Sequence, residues 1–226
     1  MNFTLRKKFL IIVVGILLVA GAFFWFRGSG GQDFEKYLKG YKIENEAVKN
    51  SPELQQDYKQ RFEAAKASLL ANPDQMDDWL TVASVKTAVG DYKGAEEVYL
   101  HLNEIRPENS TSFANLGVLY MQYLPNYVKS EEMFRKALEN QPNDVLTWRN
   151  FYELYKYHYA DKNQAATPTL EDALRVVPTD PSLWALLAQE YTDTGNKSAA
   201  IRAWQEYLKL RPGDQQATQA IRDLQS

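Results

Sequence analysis

The chain has 226 residues, of which 45% are hydrophobic and 24% are charged, a balance typical of an ordered protein and not of a disordered tail. It contains no cysteine, which excludes disulfides, thiolate metal sites and cysteine nucleophiles. The net charge is −3, and the part after residue 27 holds 22 basic side chains against 29 acidic ones, which argues against nucleic-acid binding. Helix-forming residues are abundant, which favours an all-α fold.

The N-terminal region combines a basic tail, residues 1–8, with an apolar run. Residues 9–26 form 18 consecutive positions without a charge. At ~1.5 Å per residue, a helix of this length approaches the ~30 Å hydrocarbon core of a bilayer. We therefore predict a transmembrane helix over residues 9–26, through which the chain would contact membrane lipid. The small residues Ala20-Gly21-Ala22 leave a cleaved signal peptide open as the alternative.

The charges that flank this run predict its orientation. Three basic residues directly precede it and Arg27 alone directly follows it. The positive-inside tendency predicts a single-pass membrane protein with a cytoplasmic N-terminus and the remaining domain outside the cytoplasm. Residues 27–33 are rich in glycine and serine, which predicts a flexible linker between the anchor and that domain.

Capping helices are predicted at both ends of the following domain. Residues 34–73 form the N-terminal cap, in which Ser51-Pro52-Glu53 has the residues that begin a helix. This helix is predicted to run to about Ala71. Residues 213–226 are predicted to form a last helix with its apolar residues turned inward. Terminal units with a polar outer face keep an open-ended stack soluble.

A repeated pattern occupies residues 74–212. The prolines at its boundaries fall 34, 35, 36 and 34 residues apart, at Pro73, Pro107, Pro142, Pro178 and Pro212. Six residues after each of the first four stands a large aromatic residue: Trp79, Phe113, Trp148 and Trp184. This period is typical of one helical unit stacked several times. The four predicted units are 74–107, 108–142, 143–178 and 179–212.

Each unit contains the pattern of two paired helices. The last one reads Trp184-x-x-Leu187-Ala188-x-x-Tyr191, then Ala200-x-x-x-Trp204, then Pro212. Large residues three and four apart share one helix face, and the small ones let the two helices approach closely. This order resembles the tetratricopeptide repeat (TPR). The resemblance implies an all-α fold, a right-handed superhelix of antiparallel helix pairs.

The unit at 143–178 is the most irregular. It gains two residues around 160–163, and the second unit gains one around 124–126. Both insertions are predicted to lie at the bend between paired helices, where added length is tolerated. The third unit also places six ring side chains within positions 151–159, which cannot all face inward on one helix. Tyr157 at least is predicted to point away from the core.

The resemblance also implies a binding groove, because the first helices of such repeats line a concave surface that holds a partner's peptide or helix. The side chains offset from the Trp-Leu-Tyr face are predicted to line it: Leu80, Ser84, Thr87, Ala114, Val118, Met121, Gln122, Arg149, Glu153, Lys156, Tyr157, Gln189 and Thr192. Leu80, Ser84, Ala114 and Val118 stand where some family members carry a lysine–asparagine clamp for a carboxylate, so no such clamp is expected. The alternative is that these residues form a solvated face without a partner.

Catalytic chemistry finds no support in the sequence. His101 and His158 lie in different units, and neither has a second ligand at a metal-binding spacing. Both are expected to be surface histidines, and we expect no catalytic residue, metal or cofactor. The leading hypothesis is a membrane-tethered scaffold that binds a partner protein during assembly of an envelope or membrane complex. The alternative is a permanent accessory subunit of an enzyme or transport complex.

Overall fold

The computed structural model describes residues 34–226, and this part of the chain is helical, without a strand. The tail, the transmembrane helix and the linker predicted over residues 1–33 lie outside the described residues. Among residues 34–226, no helix combines the length and the apolar character needed to cross a bilayer.

The described residues form helices that pair in chain order. They are α1 (Glu46–Lys49), α2 (Pro52–Ala71), α3 (Met76–Val89), α4 (Tyr92–Ile105), α5 (Ser110–Gln122), α6 (Tyr127–Asn140), α7 (Val145–Glu153), α8 (Ala166–Val176), α9 (Pro181–Asp193), α10 (Lys197–Leu210) and α11 (Gln215–Gln225). The pairs α3–α4, α5–α6, α7–α8 and α9–α10 are packed hairpins, and each second helix also contacts the first helix of the next pair. The expected stack of helix pairs is thus confirmed.

Polar side chains start most of the first helices. Asn109, Asp144, Asp180 and Asp214 each accept a hydrogen bond from a backbone N–H at the beginning of α5, α7, α9 and α11. These bonds satisfy donors that have no partner inside the helix. Asp74, which follows the first boundary proline, instead makes an ion pair of 3.0 Å with Arg106. Helix α3 begins after Gln75 without a side-chain cap.

A hydrogen bond explains why tryptophan follows the boundary proline by six positions in three of the four repeats. The indole N–H of Trp79 donates to the carbonyl of Pro73 at 2.9 Å. Trp148 donates to Pro142 at 2.7 Å, and Trp184 donates to Pro178 at 2.8 Å. Proline ends the preceding helix, and the indole then fixes the direction in which the next one starts.

The core consists of two hydrophobic clusters that follow each other along the stack. Close approach of α5 and α6 depends on Gly117, because a Cβ at this position would lie 2.7 Å from the ring of Phe134. The hydroxyl of Ser130 donates to the Gly117 carbonyl at 2.8 Å in the same contact. A small residue in the first helix therefore makes room for a large one in the second.

The N-terminal cap is less helical than predicted. Residues 34–45, which we call the strap, contain a 3₁₀ turn at Phe34–Leu38 and then an irregular stretch. Only α1 and α2 are α-helices in residues 34–73. Helix α2 begins as expected, with the Ser51 hydroxyl accepting a bond from the Leu54 N–H.

The strap runs along α3 and also contacts α4. Its rings pack at one end, where Tyr37 stacks on His101 with centroids 4.4 Å apart and Phe34 meets Trp79 edge-on. At the other end, the backbone N–H groups of Glu44 and Asn45 donate to the Val89 carbonyl at 2.8 and 2.9 Å. The strap therefore covers apolar residues that a stack of repeats would otherwise expose at its end.

The third pair contains the irregular backbone. After α7 the chain makes a π-helical turn at Leu154–His158 and a 3₁₀ helix at Ala160–Ala165 before α8 begins. The two extra residues lie in this bend, as expected. Tyr157 lies in the π-helical turn and is 69% exposed, which confirms that it points away from the core.

Candidate partner-binding surface

The side chains predicted to line a groove lie on α3, α5, α7 with its π-helical turn, and α9, and we call this set the first-helix face. Four of them are exposed: Gln122, Arg149, Tyr157 and Gln189. Others are half-buried: Leu80, Ser84, Thr87, Ala114, Val118, Glu153, Lys156 and Thr192. Most of the predicted residues are therefore accessible to a partner.

Met121 is the exception, and its assignment to an open groove is wrong. Its side chain is 1% exposed and belongs to the second core cluster, together with Phe134 and Phe151. The flexible thioether fills the space between α5 and the third pair. The sequence did not reveal this burial, because it depends on the bulky rings of the third pair, such as Phe151, that pack against Met121.

The end of the face on α3 is formed by small polar groups around a buried tyrosine. Thr87 donates its hydroxyl to the Ala83 carbonyl of its own helix at 2.9 Å. Burial raises the pKa of Tyr99, while hydrogen bonds with Ser84, Thr87 and Asn115 act in the opposite direction. Ser84 and Thr87 thus help to satisfy a core hydroxyl, which leaves Leu80 as the apolar contact in this part of the face.

Lys156 is bound within a polar cluster that joins α7 to α9. Its ammonium lies 2.7 Å from the Glu190 carboxylate and 3.3 Å from Asp193, and the hydrogen bond with Glu190 is the main cause of its raised pKa. The Tyr152 hydroxyl donates to Glu190 at 2.9 Å. Gln189 also donates to Asp193, at 2.7 Å. Lys156 and Gln189 are therefore brought together at Asp193, but only Lys156 links two elements of the stack, since the Gln189 bond lies within α9.

Glu190 is the residue that sequence reasoning missed in this cluster. It is 4% exposed, and burial of a carboxylate requires charged or hydrogen-bonding partners such as Lys156 and Tyr152. Burial and the bond to Glu190 raise the pKa of Tyr152, so the phenol remains a donor at physiological pH. The sequence signal was weak, because a glutamate next to a groove position looks like any solvated residue.

Arg149 and Tyr157 differ from Lys156 in being available. Within residues 34–226, neither side chain makes an ion pair or a side-chain hydrogen bond. Glu153 lies between them in sequence, and its carboxylate is 4.0 Å from His158. A guanidinium and a phenol without internal partners are well suited to bind a partner.

Adjacent pairs are linked by a tyrosine–glutamate contact on the other side of the first helices. Tyr120 of α5 donates to Glu96 of α4 at 2.7 Å, and Tyr191 of α9 donates to Glu171 of α8. Tyr155 stands in the equivalent place beside Glu131. Burial, followed by the nearby carboxylate, raises the pKa of Tyr155 and Tyr191 to about 12. These links join the repeats and leave the first-helix face open.

The two histidines are not simple surface residues. His101 is half-buried, with its ring stacked on Tyr37 and in edge contact with Trp79 at 4.9 Å. His158 lies 6.2 Å from the ring of Tyr127. No group of three or more potential metal ligands occurs between residues 34 and 226.

Comparison with known proteins identifies the repeat and the fold. Residues 181–214 match the family model of the tetratricopeptide repeat. The C-terminal part of a TPR repeat-containing protein from Cytophaga hutchinsonii superposes with a TM-score of 0.56 at 24% identity, over 84% of this chain and 72% of that one. A search of curated proteins finds no match.

Two further solved structures share the fold. YrrB, described as a TPR protein with an unusual peptide-binding site, has a TM-score of 0.53 at 16% identity and covers 71% of this chain and 81% of its own. MamA has a TM-score of 0.51 at 21% identity, with 66% and 80% covered. At these identities the similarity establishes the architecture alone.

Proposed function

We propose, since the chain belongs to the tetratricopeptide-repeat proteins, that it is a membrane-tethered adaptor whose first-helix face binds a partner protein. Proteins with this fold generally serve as protein-interaction scaffolds. We assign it no catalytic role: the chain acts through contact, and its partner is a protein of an envelope or membrane complex under assembly.

The observation that carries this proposal is the availability of Arg149 and Tyr157 in the third pair. Tyr157 is 69% exposed in a segment whose neighbours Leu154 and Tyr155 are buried. Tyrosine and arginine are frequent energetic anchors of interfaces, because each combines a large contact area with hydrogen bonding. The π-helical turn that presents Tyr157 is a type of irregularity often found at functional sites.

The tether is supported by the sequence of residues 9–26, an apolar run whose length as a helix would approach the ~30 Å hydrocarbon core of a bilayer. In the sequence, residues 27–33, which are rich in glycine and serine, stand between this run and the strap. An anchor of this kind would confine the first-helix face to the membrane surface, with the domain outside the cytoplasm.

The accessory-subunit alternative is favoured by a different observation. Val128 and Leu146 are 65% and 63% exposed, and a permanent subunit would have apolar side chains such as these to bury. If these residues bury a permanent subunit interface, a fragment of residues 32–226 should aggregate when expressed alone. A soluble and monomeric fragment would favour the adaptor.

The proposal is tested by purifying the full chain from detergent-solubilised membranes and identifying what accompanies it. We expect a specific partner whose recovery falls with Tyr157→Ala and with Arg149→Ala. Arg222→Ala is the matched control, since it removes an exposed side chain of α11, outside the first-helix face. Equal recovery with all three variants would remove the first-helix face from the proposal. Recovery of the chain in the soluble fraction would remove the tether.

A further inference from the structure

A cleft of about 350 Å³ opens between the second helices α6 and α8, away from the first-helix face. Its floor is α7, which contributes Trp148, Phe151 and Tyr155. Leu138 of α6 and Thr169 of α8 face each other across it. Its size lies within the range of ~300–1,000 Å³ that is common for ligand sites.

The cleft follows from a change of residues between two repeats. When the buried Ser130 of α6 is aligned with the buried Ala166 of α8, Thr169 occupies the position that Met133 holds in the preceding pair. Met133 is 8% exposed and packs into the first core cluster. The shorter threonine, which donates its hydroxyl to the Ala165 carbonyl at 2.8 Å, leaves that volume empty in the next interface.

The floor of the cleft is formed by aromatic rings, and the one basic group among its lining residues is neutralised. The Arg135 guanidinium lies 5.3 Å from the centre of the Phe151 ring. It donates to Glu131 at 3.0 Å and to the Tyr155 hydroxyl at 3.3 Å. The Arg135 guanidinium therefore lines one side of the cleft, and its positive charge is already neutralised by Glu131.

The rim is acidic. Glu139 of α6 is exposed and makes no ion pair within the described part of the chain. Asp172 of α8 has a side chain that is 52% exposed and pairs with the neighbouring Arg175. Exposed pairs of this kind contribute only ~0–1 kcal/mol, so an incoming cation can displace Arg175 at little cost. In the preceding repeat the position of Asp172 is held by Lys136, so the acidic rim belongs to this interface.

We propose that this cleft is a second docking site, which takes an apolar side chain flanked by lysine or arginine from a segment of a partner protein. The apolar residue would fill the space above Trp148 and Phe151, and the flanking cations would meet Glu139 and Asp172. The site is independent of the first-helix face, so one chain would hold two partners or two segments of the same partner. Occupancy of both would raise the apparent affinity without any new contact.

The test uses the full chain in a mild non-ionic detergent and short fluorescent peptides that carry leucine between lysines. Matched peptides replace the leucine by serine or the lysines by glutamate. Fluorescence anisotropy is expected to show binding of the leucine–lysine peptide and at least about tenfold weaker binding of both others. With 5-fluorotryptophan in the chain, the Trp148 resonance should shift on binding while that of Trp79 stays in place.

Two substitutions test the site itself. Thr169→Met introduces the residue of the preceding repeat and should weaken binding at least about tenfold by filling the cleft, with thermal stability maintained. Glu139→Lys should weaken binding of the lysine peptide, whereas Glu104→Lys, at the equivalent position of α4, should not. Binding unaffected by Thr169→Met or by Glu139→Lys, or a Trp148 resonance that does not move, would overturn the proposal. Tyr157→Ala should leave peptide binding unchanged, which separates this test from that of the first-helix face.

Discussion

The side-chain amide of Asn140 donates to the carbonyl of Pro107, thirty-three residues earlier, at 2.8 Å. Pro107 begins the one repeat in which phenylalanine, Phe113, replaces tryptophan six residues later. Phenylalanine has no N–H, so the proline carbonyl receives its hydrogen bond from the last turn of α6 instead. A missing donor in one helix is thus replaced by a donor from its partner.

This replacement can be measured with a double-mutant cycle. Asn140→Ala should lower the free energy of unfolding by ~0.5–1.5 kcal/mol, because the Pro107 carbonyl loses its donor. In a Phe113→Trp background the same change should cost less, since the indole restores the bond seen at Pro73 and Pro142. Urea unfolding of the four proteins gives the coupling. Equal costs in both backgrounds would contradict the exchange of donors.

Substitution of Gly90 tests how closely the strap packs against the end of α3. Its φ is +91°, and an added Cβ would lie 2.8 Å from the backbone nitrogen of Asn45. Gly195 is the control, because its φ is +76° but the space around it is open. Both Gly→Ala changes should incur the ~1–2 kcal/mol of a left-handed alanine, and Gly90→Ala should incur more because it also displaces the strap. Thermal unfolding that shows no difference between them would contradict the observed packing.

Lys86 holds the middle of the strap. Its ammonium is 2.5 Å from the Gly40 carbonyl and 3.4 Å from Asp91, and the residue is 5% exposed. Lys86→Met keeps the volume but removes the donor, so the strap should open more often. Trypsin should then cleave after Lys39 and Lys42 about tenfold faster, the equivalent of ~1.4 kcal/mol. Lys93→Met, which removes a surface ammonium from α4, should leave this rate unchanged.

Glu131 predicts how stability depends on pH. Burial opposes its ionisation, but hydrogen bonds from Lys162 at 2.7 Å and Arg135 at 3.0 Å lower the pKa of the carboxyl below its usual value. A group whose pKa is lower in the folded state stabilises it above the unfolded pKa of ~4.3, and this contribution is lost as the pH falls through the folded value.

The expected result of Glu131→Gln is therefore a loss of ~1–2 kcal/mol in unfolding free energy at pH 7. The difference in unfolding free energy between the variant and the wild-type chain should become smaller as the pH is lowered below about 4. Glu132→Gln is the matched control, because the side chain of Glu132 is 58% exposed and its ion pair with Lys136 spans 3.6 Å. Denaturant titrations at several pH values measure both, and a gap that widens at low pH would contradict the assignment.

The helix pairs could be predicted from the sequence because their signals are local. Proline marks each boundary, an acidic or amide cap starts α5, α7 and α9, and the spacing of large and small residues marks each packed face. The strap could not be predicted in the same way, since it is held by contacts across 43 to 46 residues, such as Asn45 with Ala88 and Lys86 with Gly40. A 3₁₀ turn followed by an irregular stretch has no sequence period to detect.

The surfaces were predicted only in part, for a related reason. Arg149 and Tyr157 were correctly predicted to be accessible, because helical geometry alone determines which residues lie off the Trp-Leu-Tyr face. It failed for Met121, whose burial depends on neighbouring helices. The cleft beside Thr169 also required the structure, since its volume depends on the difference between two aligned side chains, threonine and methionine.

The strap has a consequence for how molecules of this kind coexist at high concentration. Helical stacks can add copies of themselves end to end, since the last helix of one molecule resembles the neighbour that the first helix of another requires. Here an extended chain segment occupies that seat beside α3 and binds its exposed groups. Among the described residues, the strap therefore covers this side of α3, and the last helix of another copy could pack there only after displacing it.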